Sequence, residues 1–108
     1  MTCAEREHIP ILTKMRCQDA EILDLGFAKV KPDLICNGIP VEVECVERIH
    51  IGLGQALAYK YATGRAGLVV IAEQISPDLR KFLDWCRQLG IEIYIYVNDV
   101  VIRLYKEK

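Results

Sequence analysis

Residues 31–46 read Lys31-Pro32-Asp33-Leu34-Ile35-Cys36-Asn37-Gly38-Ile39-Pro40-Val41-Glu42-Val43-Glu44-Cys45-Val46, two apolar stretches around an Asn-Gly pair. Asn-Gly suits a two-residue type I′ turn, which needs positive φ at both central positions. It predicts a hairpin between Leu34–Cys36 and Val41–Val46. The turn length also sets the register: Cys36 faces Ile39, Ile35 faces Pro40, Leu34 faces Val41 and Asp33 faces Glu42. A period of two then puts Glu44 on the side of Glu42. Three carboxylates, Asp33, Glu42 and Glu44, are therefore expected on one sheet face. Like charges directly opposite each other destabilise a strand pair. A divalent cation offsets that repulsion, and Mg2+ wants carboxylate oxygens plus several retained waters, so the cluster is expected to hold Mg2+ or Mn2+. The same Val-Glu-Val-Glu alternation also fits a half-buried strand with its acids simply in water.

After the hairpin, residues 51–63 read as a helix ending at Gly64. Gln55 and Tyr59 lie four apart and share a face, where an amide and a phenol can orient water or a phosphate oxygen. Gly52, Gly54 and Ala56 keep the start of this helix slim, so that it approaches the sheet closely. Lys60 is the adjacent cation. The run LVVIA at 68–72 is apolar throughout, as in a strand covered on both faces. Ser76-Pro77-Asp78 opens the next helix with a cap, a first-turn proline and an acid near the positive end. Leu79, Phe82, Leu83, Cys86 and Leu89 form its buried stripe and Gly90 ends it; Trp85 reads as core or rim packing. Residues 91–97 alternate cleanly, and Asn98-Asp99 turns the chain into a last strand, 100–105.

Upstream, the first 25 residues read as helix, with Ile11, Leu12, Met15, Ile22, Leu23 and Leu25 as its stripe, Pro10 at or before the first turn and Gly26 as the stop. Residues 27–30 form a short strand. The resulting order, α-β-β-β-α-β-α-β-β, defines an α/β chain with a mixed sheet flanked by helices.

These motifs in this order resemble the PD-(D/E)xK nuclease superfamily. Pro32-Asp33 resembles its first element, Glu42-Val43-Glu44 its acid-x-lysine element, and Gln55-Ala56-Leu57-Ala58-Tyr59 the Gln-x-x-x-Tyr helix of its RecB-like branch. The small size and the Gly26-Phe27 stretch are similar to archaeal Holliday-junction resolvases. The resemblance covers about 60 residues and implies a restriction-endonuclease-like αβββαβ core, here with an added C-terminal helix and β-hairpin. It implies a metal-dependent nuclease hydrolysing DNA phosphodiester bonds. Asp33, Glu42 and Glu44 would be the metal ligands, and Gln55, Tyr59 and Lys60 would complete the catalytic set. The departure is Glu44, which stands where the family carries its lysine. Acid-x-acid also occurs in a minority of the superfamily's restriction enzymes, and Lys60 is the candidate for a migrated lysine. Some branches add an acid from the first helix; Glu21 is the candidate, with Asp19, Glu5 and Glu7 left open.

Composition bounds these readings. The chain has 108 residues, 52% hydrophobic and 27% charged, so residues 1–108 are expected to form one nuclease-like domain rather than two or a disordered segment. A net charge of -1 excludes a polybasic polymer binder. DNA contact would rest on the metal and on local cations such as Lys29, Lys31, Arg48, Lys60 and Arg65. A homodimer is expected, with residues 91–97 and 100–105 as the apolar surface to be covered. No apolar run is long enough to span a membrane, and MTCAEREHIP lacks a signal core, so the expected setting is cytoplasmic. The five cysteines, odd in number and without a C-x-x-C pair, argue against a disulfide framework or zinc knuckle, with Cys36, Cys45 and Cys86 read as buried small hydrophobes. His8 and His50 have no ligand partner at metal spacing. Two non-enzymatic readings stand beside the nuclease: a catalytically inactive nuclease-fold module serving as a nucleic-acid-binding or structural subunit, and a general interaction domain with solvated acids.

Overall fold

The computed structural model describes residues 1–105; the expected domain 1–108 extends to residues 106–108, which lie outside the described residues. The order is α1 (Cys3–Met15), β1 (Leu23–Asp24), β2 (Lys29–Val30), β3 (Leu34–Cys36), β4 (Ile39–Cys45), a 3-10 turn (Val46–Arg48), α2 (Ile49–Thr63), β5 (Gly67–Ile71), α3 (Pro77–Gln88), β6 (Glu92–Val97) and β7 (Val100–Arg103). β1 and β2 form a small ribbon, and the main sheet runs β3-β4-β5-β6-β7. The class is α/β, with antiparallel hairpins at both edges and parallel pairs β4-β5 and β5-β6 between them.

Asn37 and Gly38 take φ of 53° and 80°, and the register is the expected one: Leu34 opposite Val41, Ile35 opposite Pro40, Cys36 opposite Ile39. From β4 the chain crosses over through α2 and then α3, and both helices lie on one face of the sheet. There Leu53, Ala56 and Tyr59 of α2 and Leu83 and Cys86 of α3 pack on Leu68, Val70, Ile93 and Ile95. Ile11 of α1 covers the other face against Val41, Val43, Val69 and Tyr96. The middle strand β5 needs apolar residues at every position because it is enclosed from both sides. Ser76 caps α3, accepting from the Leu79 amide at 3.1 Å. Trp85 lies on the exposed side of α3, its ring 5.9 Å from that of Phe82.

The N-terminal third departs from expectation. α1 stops at Met15, because Arg16 turns left-handed (φ 55°) and the Cys17 amide closes back on the Leu12 carbonyl at 2.9 Å. Beyond it Gln18 exchanges backbone bonds with Ile35 at 2.9 and 2.8 Å, which pulls the chain into extended form. Leu23 therefore lies in β1 rather than on a helical stripe, and Gly26 (φ 93°) turns the β1-β2 ribbon instead of ending a helix. Pro10 sits inside α1, not at its start. An interior proline costs a helix about 3 kcal/mol. Opposing that cost are a reciprocal cap at the other end, Thr2 with Glu5, and the burial of Ile11.

The cysteine expectation is also overturned. Cys3 is bonded to Cys45 and Cys17 to Cys36, leaving only Cys86 free, and buried. The partners are 42 and 19 residues apart, so spacing along the chain carries no sign of them. Cys17 and Cys36 are brought together by the neighbouring Gln18–Ile35 bridge. Together the bonds staple α1 to the hairpin from its first residue and from just past its last. Of the expected dimer surface, the apolar face of β6 is covered by this chain's own helices, while Val100 (54%), Ile102 (39%) and Tyr105 (66%) are exposed. No helix among the described residues is long and apolar enough to cross a membrane.

Candidate metal centre

Pro32 is buried and sets Asp33 at the entrance of β3. The Asp33 carboxylate stands in for a strand backbone acceptor: its Oδ2 accepts from the Val43 amide at 2.8 Å, extending the ladder onto β4. On the neighbouring position of β4, Glu42 is the one buried charged side chain among the described residues, 5% exposed. Its Oε1 accepts from the Tyr59 hydroxyl at 2.7 Å. Burial, with the Asp33 charge beside it, pushes the Glu42 carboxyl from 4.5 up to about 8; the Tyr59 hydrogen bond pulls the other way without overcoming this. Burial and the same carboxylate push the Tyr59 phenol upward, so it stays a proton donor.

Glu44 lies two residues along β4, half-buried, with Oε1 accepting from the Cys45 amide at 2.9 Å and standing 3.9 Å from Arg48 Nε. Close approach of α2 is what encloses these acids. A Cβ on Gly52 would fall 2.7 Å from Glu44 Cβ and 3.1 Å from Leu68 Cδ1, so a glycine is required there. Gly54, by contrast, has open space around it. Nearly two turns into α2, Gln55 is exposed at the rim, while Tyr59, one turn further, is buried against Glu42.

Asp33, Glu42, Glu44 and Gln55 thus line one cavity of about 530 Å³, together with Arg48 and, from α1, Glu5 and His8. Of the other expected site residues, Tyr59 does not line the cavity but holds Glu42 from within the core, and Lys60 lies elsewhere. It follows Tyr59 by one position, about 100° around the helix, and its Nζ donates to the Leu89 carbonyl at 3.0 Å, at the end of α3. The migrated-lysine role therefore does not fit. Among the open first-helix acids, Glu5 lines the cavity, Asp19 pairs with His8 at 2.9 Å, and Glu21 lies exposed beyond the end of α1. Arg65 is engaged by Glu92 at 3.1 Å.

Arg48, expected as a phosphate-holding cation, lines this wall, and His8 joins it although the sequence reading gave it no place there. His8 reaches it only because α1 is held beside β4. A carboxylate-rich wall with an amide at its rim suits a hard divalent cation, and Glu42, held neutral by burial and then by the neighbouring Asp33 charge, is a carboxyl whose ionised form such a cation would stabilise. The three-carboxylate cluster expected for Mg2+ or Mn2+ is not closed, however: Asp33, Glu42 and Glu44 do not place three ligand atoms within 4.8 Å of one another, and only Asp33 and Glu42 stand together. A larger cavity, about 880 Å³, opens at the ends of β4, β5 and β6 and contains none of these carboxylates. No protein-family model, curated protein or solved structure matches this chain.

Proposed function

We propose that this chain is a metal-dependent nuclease hydrolysing DNA phosphodiester bonds in the cytoplasm, on a restriction-endonuclease-like core. The observation that carries the reading is the pairing of Asp33 with a buried Glu42 whose carboxyl holds its proton to about pH 8, at the floor of an open cavity that Glu44 and Gln55 also line. A divalent ion bound there would lower the pKa of a coordinated water and neutralise phosphate charge. Asp33 and Glu42 would be its ligands. Tyr59 fixes Glu42, Gln55 at the rim orients water or a phosphate oxygen, and Arg48 receives the phosphate. Glu44 has one oxygen committed to the Cys45 amide, which leaves the other to take a proton from water. A chain this small reads little sequence, so the substrate is a DNA structure rather than a long site, and a homodimer would address two strands.

Purified protein incubated with branched, single-stranded and duplex DNA in Mg2+ or Mn2+ tests this. Cleavage that is lost in Asp33→Asn and Glu42→Gln supports it; no cleavage of any of these DNAs overturns it. A second reading has its own support. Among the described residues no lysine lines the cavity, and Lys60 is engaged at the end of α3. On that ground the same fold would serve as a catalytically inactive nucleic-acid-binding or structural subunit, and DNA binding without cleavage would favour it.

A further inference from the structure

We propose that Cys3, Cys45 and Glu47 form a second metal site, which takes Zn2+ when the Cys3–Cys45 disulfide is reduced. It is independent of the nuclease reading. One ligand atom from each of these three residues lies within 4.8 Å of the other two. Tetrahedral zinc, with Zn–S near 2.3 Å and Zn–O near 2.1 Å, sets its ligand atoms roughly 3.5–3.8 Å apart. Small side-chain rotations therefore close the group on an ion. The three residues come from separate anchors: Cys3 opens α1, Cys45 ends β4, and Glu47 sits in the 3-10 turn. The Cys3 and Cys45 Cα atoms are 6.0 Å apart, a separation that serves a disulfide and a shared ion alike. Among the described residues no other group of three histidine, cysteine or acidic side chains is so placed.

Access and charge agree with the assignment. Cys3 and Glu47 face the 880 Å³ cavity, which Glu7, Glu73 and Asp99 also line, with Arg6 as the opposing charge. A concave acidic wall concentrates cations. A fourth coordination position is left for water. The ligand set differs in kind from the carboxylates of Asp33 and Glu42, since thiolates select zinc over magnesium or manganese. The period of two also places Cys45 with Val41 and Val43, on the sheet face away from Glu42 and Glu44.

A small dithiol reductant supplies two electrons and two protons, becoming a disulfide itself, and the S–S bond opens to two thiols. Zn2+ then displaces both thiol protons to solvent and binds two thiolates and the Glu47 carboxylate. Either covalent state ties the start of α1 to the end of β4. Under reducing conditions the ion thus replaces the disulfide as the clamp on the helix that carries Glu5 and His8 into the acidic cavity.

The test uses the full chain, reduced anaerobically, freed of reductant and titrated with Zn2+ against a chromophoric chelator, then with Co2+. The expected results are one tightly held ion per chain, a thiolate-to-cobalt charge-transfer band, and protection of Cys3 and Cys45, but not Cys17 and Cys36, from alkylation mapped by mass spectrometry. Glu47 is exposed, so Glu47→Gln keeps the fold, and it is expected to weaken zinc by at least about tenfold. Unchanged affinity in Glu47→Gln, a cobalt spectrum without the thiolate band, or protection of Cys17 and Cys36 instead would overturn the proposal.

Discussion

Glu42→Gln separates the charge of the buried carboxyl from its shape. The amide oxygen still accepts from Tyr59, and the volume is unchanged. In the folded protein the Glu42 carboxyl titrates near 8 against 4.5 in the open chain. The folded state therefore binds this proton more tightly than the unfolded state. The stability that neutral Glu42 contributes is full below 4.5 and is lost as pH rises through about 8. The full gap corresponds to an upper bound of about 5 kcal/mol. The cavity beside Glu42 admits water, which screens the charge, so a loss of about 2 kcal/mol is expected for the parent between pH 5 and 8.5 without metal. For a domain of this size that is roughly 10 °C in Tm. Thermal melts of parent and Glu42→Gln across this range, in chelator, read it directly. The two are expected to converge at pH 4, with the variant melting higher at pH 8. Added Mn2+ is then expected to raise the parent's Tm at pH 8 and leave the variant's unmoved. Parallel pH profiles for the two proteins would refute the assignment of a buried, charge-repelled carboxyl.

Four other substitutions probe the site and its surroundings. Gly52→Ala drives a methyl to 2.7 Å from Glu44 Cβ; overpacking of about 1–3 kcal/mol outweighs the gain of up to about 1 kcal/mol in helix propensity. A lower urea midpoint and weaker Mn2+ binding are expected, whereas Gly54→Ala, in open space, is neutral or stabilising. Tyr59→Phe removes the donor to buried Glu42, at a cost of about 1–3 kcal/mol; the loss raises the Glu42 carboxyl further, so the pH midpoint of Mn2+ binding, followed by titration, moves upward. Lys60→Ala loses its bond to the Leu89 carbonyl and about 1 kcal/mol in a urea melt, with Mn2+ affinity unchanged.

Local chemistry made much of this fold legible. Asn37-Gly38 dictated both a turn and its register, and with it the meeting of Asp33 and Glu42. Ser76-Pro77-Asp78 announced α3, and the apolar run at β5 announced a strand enclosed on both sides. Helical spacing alone put Gln55 and Tyr59 on one side of α2, where Gln55 lines the acidic cavity and Tyr59 bonds Glu42. What escaped depended on distant parts of the chain. Arg16 ends α1 in a left-handed conformation that glycine usually marks, and the strand-like path beyond it is imposed by Ile35. The disulfides join residues whose proximity exists only once α1 lies across the hairpin. His8 enters the cavity for the same reason. Lys60 lies away from the acids because one residue's step around α2 turns its side chain toward the end of α3.

The central claim, that Asp33 and Glu42 hold a divalent ion, is tested most directly by anomalous diffraction from crystals of the chain grown in Mn2+ at pH 8. A manganese peak within bonding distance of both carboxylates is the expected result; ordered Asp33 and Glu42 side chains with no peak between them would contradict it.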